Sequence, residues 1–138
     1  MKRIFIISAL LVAVIKITAQ TEVFPEDGYQ VYKYPNGTVS SEGLIKNGKP
    51  EGYWKSYYVT GVKRSEGRYT NFMLDSIWVF FDQAADTTEK INFLFGKKNG
   101  YYYKYRKEPS FGVYLWSKEL YAGNKKEGTA YILSLIHI

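Results

Sequence analysis

Along residues 28 to 133 the apolar positions recur in steps of two. Tyr29 and Val31, Tyr53 and Tyr57, Ile77 and Phe81, and then Tyr101, Tyr103 and Tyr105 occupy alternate positions, with Lys33, Lys55, Arg64 and Arg68 interleaved. No stretch after residue 20 has helical periodicity, so the pattern predicts strands. "YWKSYYV" at 53–59 is rich in strand formers, and "KRSEGRY" at 63–69 reads as the returning strand. Between them stands Thr60-Gly61, with Asn36-Gly37 in the corresponding place upstream. Such pairs tolerate the positive φ that a two-residue hairpin turn demands. Polar, Gly-rich links such as "KNGKPEG" at 46–52 lead from one hairpin to the next. The expected fold is all-β: one elongated antiparallel sheet of tandem hairpins. The stretch "QAADTT" at 83–88 has no Gly, which predicts a looser loop near Ala84 to Asp86.

The hairpins are copies of one unit. Ser-Glu-Gly occurs at 41–43 and again at 65–67, an offset of 65 − 41 = 24. In that frame, units 28–51 and 52–75 agree at Gly28/Gly52, Tyr29/Tyr53, Tyr34/Tyr58, Gly37/Gly61, the Ser-Glu-Gly triplet ending in Gly43/Gly67, and Asn47/Asn71. Unit 76–99 is degenerate but keeps Trp78 where the second has Trp54, and Phe93 where it has Tyr69. Unit 100–127 begins at Gly100 and carries four extra residues, and a partial unit covers 128–133. A period in this range marks a repeat architecture in which each unit chiefly contacts its neighbours.

The turn at Thr60-Gly61 sets Val59 against Val62 and, counting outward, Trp54 against Gly67. Opposed residues share a face, so the Trp54 indole is expected to lie over the bare backbone of Gly67. A bulge at Gly67 is the alternative. Trp54 and Trp78 then share a core face with Tyr34, Tyr58, Tyr69 and Phe93.

Composition changes this picture at the ends. Residues 1–20, "MKRIFIISALLVAVIKITAQ", have a basic start, an uncharged run from Ile4 to Ile15 and small Ala19 before Gln20. This describes a secretory signal peptide helix, and hence a secreted or periplasmic product with no transmembrane span after cleavage; an uncleaved anchor is the alternative. Residues 21–27 read as a linker. The leader holds Lys2, Arg3 and Lys16 and no acid, so the net charge of +6 falls to 6 − 3 = +3. The remaining excess is spread along the chain rather than gathered in a basic stripe, which argues against specific nucleic-acid binding. The tail "SLIHI" at 134–138 fits no position of the repeat. It reads as a reading frame that departs from the repeat near Ser134, or as an edge strand that pairs with another chain.

Catalytic chemistry has little to work with. The chain has no Cys, and its one His is His137 in that tail. Thiolate or imidazole nucleophile pairs and metal sites are therefore not expected within the repeats, nor is a cofactor. Carboxylates recur at fixed offsets, Glu42 with Glu66, and Glu51 with Asp75 and Glu127. Such regularity reads as repeat grammar, for example Lys55 facing Glu66, rather than as an acid pair.

Gly-x-Trp, Tyr-x-x-Gly and Glu-Gly-x-Tyr, with "YPNG" at 34–37, resemble the MORN repeat in its longer bacterial variant form, over roughly residues 28–133. Chains with that variant include the YwqK group, labelled antitoxin-like. The missing catalytic groups and the row of tyrosines along the sheet point to a non-enzymatic binding module; the resemblance implies, for that group, a component of a toxin–antitoxin pair. Tyr53, Tyr57, Tyr101 and Tyr103, with Lys55, Arg64 and Arg68, are the candidate partner-binding strip, since tyrosine beside arginine is common at interaction hot spots. The alternative is that these tyrosines simply pack in rows along the sheet. The expected partner is a protein, with a glycan or a lipid headgroup as further candidates. Carbohydrate or cell-wall binding through aromatic hairpin repeats is the competing function.

Overall fold

The structure is a computed structural model that describes residues 25–132; the expected leader and the tail at 134–138 lie outside them. The described residues form nine strands: β1 (Gly28–Lys33), β2 (Val39–Lys46), β3 (Lys49–Tyr57), β4 (Lys63–Thr70), β5 (Met73–Phe81), β6 (Thr87–Leu94), β7 (Lys97–Glu108), β8 (Gly112–Ala122) and β9 (Lys125–Ile132). All lie in one antiparallel sheet in chain order, and the sheet does not close into a barrel.

The turns differ from expectation in an orderly way. Asn36-Gly37 and Thr60-Gly61 do not form two-residue turns. The Gly61 N–H donates to the Tyr58 carbonyl at 2.9 Å, and the Tyr58 N–H donates to Val62 at 2.8 Å. This is a three-residue loop, with Gly61 at φ 87° in its last position, the position that favours Gly. The stretch at 83–85 is no looser: the Ala85 N–H donates to the Asp82 carbonyl, with Ala85 at φ 66°. The Asp82 carboxylate accepts from the N–H groups of Ala84 and Asp86 and holds this turn without Gly. The two-residue turns occur instead in the links, where both central residues have positive φ: Asn47-Gly48, Asn71-Phe72, Phe95-Gly96 and Gly123-Asn124.

The register nevertheless sets Trp54 opposite Gly67. The longer loop shifts the pairing by one residue, and a one-residue bulge at Arg64, between the pairs Tyr57–Lys63 and Ser56–Ser65, shifts it back. The same compensation occurs in every hairpin, with Ser40, Thr88 and Trp116 as the extra residues. Between units, β3, β5, β7 and β9 each carry two extra residues opposite the preceding strand. Gly52, Ser76, Gly100 and Gly128, all with positive φ, sit in these irregularities. The bulge considered at Gly67 is thus borne by β5. Two extra residues preserve the alternation, so each face stays continuous along the sheet.

One face carries the packing. Trp54 and Trp78 share it with Tyr69, whose ring meets theirs edge-on at 6.3 and 5.2 Å. Phe93 lies two residues from Ile91 on β6 and shares its face. Tyr34 and Tyr58 lie at the hairpin ends, where their hydroxyls donate to the carbonyls of Tyr57 and Phe81 in the next unit at 2.7 and 2.8 Å. The degenerate third unit has Asp82 at that offset, and an ion pair from Asp86 to Lys107 links it to the fourth instead.

The indoles correct one detail. Those of Trp54 and Trp78 each cover the glycine of the preceding strand. A Cβ on Gly43 would lie 2.4 Å from Trp54 Cδ2, and one on Gly67 would lie 2.2 Å from Trp78 Cδ2. Trp54 therefore lies over Gly43, and Gly67 is covered by Trp78. The indole N–H groups then reach the carbonyls of Leu44 and Arg68, both at 3.0 Å. In the third unit Ile91 stands in the glycine position and pairs with Tyr102 in the tryptophan position, both buried. A larger residue below accompanies a smaller ring above, as close packing requires. In β1 the tryptophan position holds Gln30, whose amide donates to the Glu26 carbonyl, so this edge carries no indole to cover a further strand.

Candidate functional site

The face opposite the indoles carries the sequence-predicted strip. Strand alternation places Tyr53, Lys55 and Tyr57 there from β3, Arg68 from β4, and Tyr101 and Tyr103 from β7. Tyr53 is 54% and Tyr101 45% exposed, while Tyr57 and Tyr103 are half-buried. Arg64 does not join them. As the bulged residue it turns to the indole face, where its Nε approaches Ser56 Oγ at 3.4 Å.

The strip divides into two clusters. β3 and β7 stand four strand spacings apart, about 19 Å. Around β3, Lys55 lies opposite both Glu42 and Glu66. Glu42 accepts the Tyr57 hydroxyl at 2.5 Å. Hydrogen bonds from Tyr57 and then Tyr29 hold the Glu42 carboxyl below its ordinary value. Burial and the bond to Glu42 push the Tyr57 hydroxyl up to about 12. Burial raises Glu66, but hydrogen bonds from Lys63 and Tyr53 outweigh it, so its carboxyl too is lowered. The Lys63–Glu66 ion pair measures 2.8 Å. Glu66 and Lys55 face one another as expected, but the close cation is Lys63. This cluster is polar and mutually satisfied.

Around β7 the chemistry differs. The rings of Tyr101 and Tyr103 are 5.9 Å apart, and the Lys118 ammonium lies 3.9 Å from the Tyr101 centroid. Together with Ile77, Lys90 and Asn92 the two tyrosines line a shallow cleft of about 240 Å³. Val79 stands in the row between Lys90 of this cleft and Glu66.

The indole face holds a second cleft, of about 310 Å³, which sequence reasoning missed. Ser41, Ser56 and Ser65 stand side by side across β2, β3 and β4, and the hydroxyls of Ser56 and Ser65 lie 2.6 Å apart. Trp54, Tyr69 and Trp78 line the same cleft, with Arg64. The serine of the Ser-Glu-Gly triplet was legible as a repeat position, but its lateral alignment with Ser56 follows only from the sheet register.

The repeat carboxylates act locally. Glu51 accepts the Phe72 N–H of the next link turn at 3.3 Å, and Asp75 accepts the hydroxyls of Thr70 and Ser76. Among the described residues no group of three or more His, Asp or Glu side chains could hold a metal ion, and no helix is long and apolar enough to cross a membrane. Compared with known protein families, with curated proteins and with solved structures, the chain matches none of them.

Proposed function

We propose that this is a non-enzymatic repeat protein of the MORN-variant type, exported by its leader, which binds a protein partner through the tyrosine face. The observation that carries the reading is the division of labour between the faces. Among the described residues every buried side chain lies on the indole side: Ile45, Ser65, Trp78, Ile91, Tyr102, Ser117 and Glu119. The other side leaves Tyr29, Tyr53, Ile77 and Tyr101 more than 40% exposed, with lysine, arginine and glutamate among them. A single-layer sheet has no second layer of its own to cover that side, and aromatic residues set in a polar surround are the composition of a protein interface.

Tyr53→Ala combined with Tyr101→Ala tests this, because both side chains are exposed and Glu66, which loses the Tyr53 hydroxyl, keeps its 2.8 Å ion pair with Lys63. Protein partners captured from an envelope extract of the source cell by the parent chain are identified by mass spectrometry and compared with those held by the variant. Unchanged circular dichroism with loss of a specific partner supports the reading. Equal capture by both chains refutes it.

A further inference from the structure

The cleft on the indole face has a chemistry of its own, and it does not depend on the tyrosine face. We propose that it binds an acidic sugar residue, a pyranose ring carrying one carboxylate, such as a uronic acid. Three features converge on one ligand class. Trp54, Tyr69 and Trp78 supply flat apolar surface, suited to the C–H face of a sugar ring. Ser41, Ser56 and Ser65 supply a row of hydroxyls that both donate and accept, suited to the ring hydroxyls. The Arg64 guanidinium supplies charge.

Arg64 is the telling residue. The bulge that restores the hairpin register also re-aims this one side chain out of the alternation, and bulges are over-represented beside functional sites for that reason. Among the described residues Arg64 has no carboxylate within ion-pair distance. Glu89, the acid nearest in the same row of the sheet, accepts the Tyr102 hydroxyl at 2.7 Å. The guanidinium fork has a single approach to a protein acceptor, the Ser56 hydroxyl at 3.4 Å, and its geometry matches a carboxylate. The other described hairpins place serine, threonine and tryptophan at this offset, so among the described residues the site occurs once. Its volume lies at the small end of ligand sites, which suits one ring rather than an extended chain. A bare anion would leave the aromatic lining unused, an aromatic acid would leave the serine row unused, and a neutral sugar would leave the guanidinium unused.

The test is a titration of the full chain with glucuronate, glucose, benzoate and sulfate, read by tryptophan fluorescence and by NMR shifts of the indole N–H groups. Glucuronate is expected to bind saturably at or below about 10 mM, and the other three at least tenfold more weakly. Arg64→Gln, at an exposed bulge position, is expected to keep the fold and to weaken glucuronate by about tenfold or more; Arg64→Lys retains part of the affinity. Tyr53→Ala with Tyr101→Ala leaves the titration unchanged. Uronic-acid oligomers that bind more tightly than the monomer identify a polysaccharide as the source, and equal binding identifies the free acid. No saturable glucuronate binding, equal binding of any control ligand, or an Arg64→Gln variant with parental affinity overturns the proposal.

Discussion

Gly67→Ala adds one methyl group and should cost far more than its size suggests. The new Cβ would stand 2.2 Å from Cδ2 and 2.4 Å from Cγ and Cε2 of Trp78. These are ring atoms of a residue only 7% exposed, not the movable end of a flexible chain, so the indole must leave its seat. It then loses the Nε1 hydrogen bond to the Arg68 carbonyl, worth about 1 kcal/mol, and part of its packing on Tyr69. Removal of a buried tryptophan altogether costs about 3–5 kcal/mol, and overpacking typically costs about 1–3 kcal/mol. An expected loss of about 3 kcal/mol lies between those bounds. Urea denaturation followed by tryptophan fluorescence measures it. Gly61→Ala is the control: its nearest neighbour would be Thr38 Cγ2 at 3.7 Å, so it suffers only the strain of a left-handed backbone, about 1–2 kcal/mol. A Gly67→Ala loss below about 1 kcal/mol, or below that of the control, refutes the seating of Trp78 on Gly67.

Other expectations follow from the same geometry. Ala85→Gly should stabilise the chain by about 1 kcal/mol, because Ala85 holds the positive φ that Gly37 and Gly61 hold in the first two hairpins; a fall in the urea midpoint would contradict this. Tyr58→Phe removes the hydroxyl bond to the Phe81 carbonyl between units and should cost about 1 kcal/mol in the same assay. The Glu42–Tyr57 bond makes stability depend on pH at both ends. The lowered Glu42 carboxyl contributes fully above its ordinary 4.5 and loses its contribution as pH falls through its folded value. The raised Tyr57 hydroxyl contributes fully below pH 10 and loses its contribution as pH rises through about 12. Tyr57→Phe should flatten both limbs of a pH–stability profile, and an unchanged profile would show that the bond is not formed in solution.

Much of this architecture is legible in the sequence because the repeat writes it twice. The 24-residue offset, the strand character of 53–59 and 63–69 and the pairing of Trp54 with Gly67 all follow from local pattern. The turns were harder because two opposite errors cancel. A loop of three residues and a bulge at Arg64 give the same distant register as a two-residue turn, so the register conceals both. The link "KNGKPEG" resembles a linker by composition, yet Asn47-Gly48 is the tight turn. Which glycine an indole covers is likewise undetermined by pairing, since Trp54 faces Gly43 on one side and Gly67 on the other; the lean of the ring decides. For the candidate sites, alternation correctly groups the tyrosines. It fails at Arg64, where one extra residue moves the guanidinium from the tyrosine face to the serine row, and no feature of "KRSEGRY" signals that change.

Hydroxyl-radical footprinting of the free chain and of its captured complex, read residue by residue by mass spectrometry, tests most directly the claim that one face is core and the other binds. In the free chain Tyr53 and Tyr101 should oxidise readily, while Trp78 and Tyr102 stay protected. In the complex Tyr53 and Tyr101 should become protected, with the half-buried Trp54 unchanged on the opposite face. Ready oxidation of Trp78 in the free chain, or protection of Trp54 in the complex with Tyr53 and Tyr101 still reactive, would contradict the account.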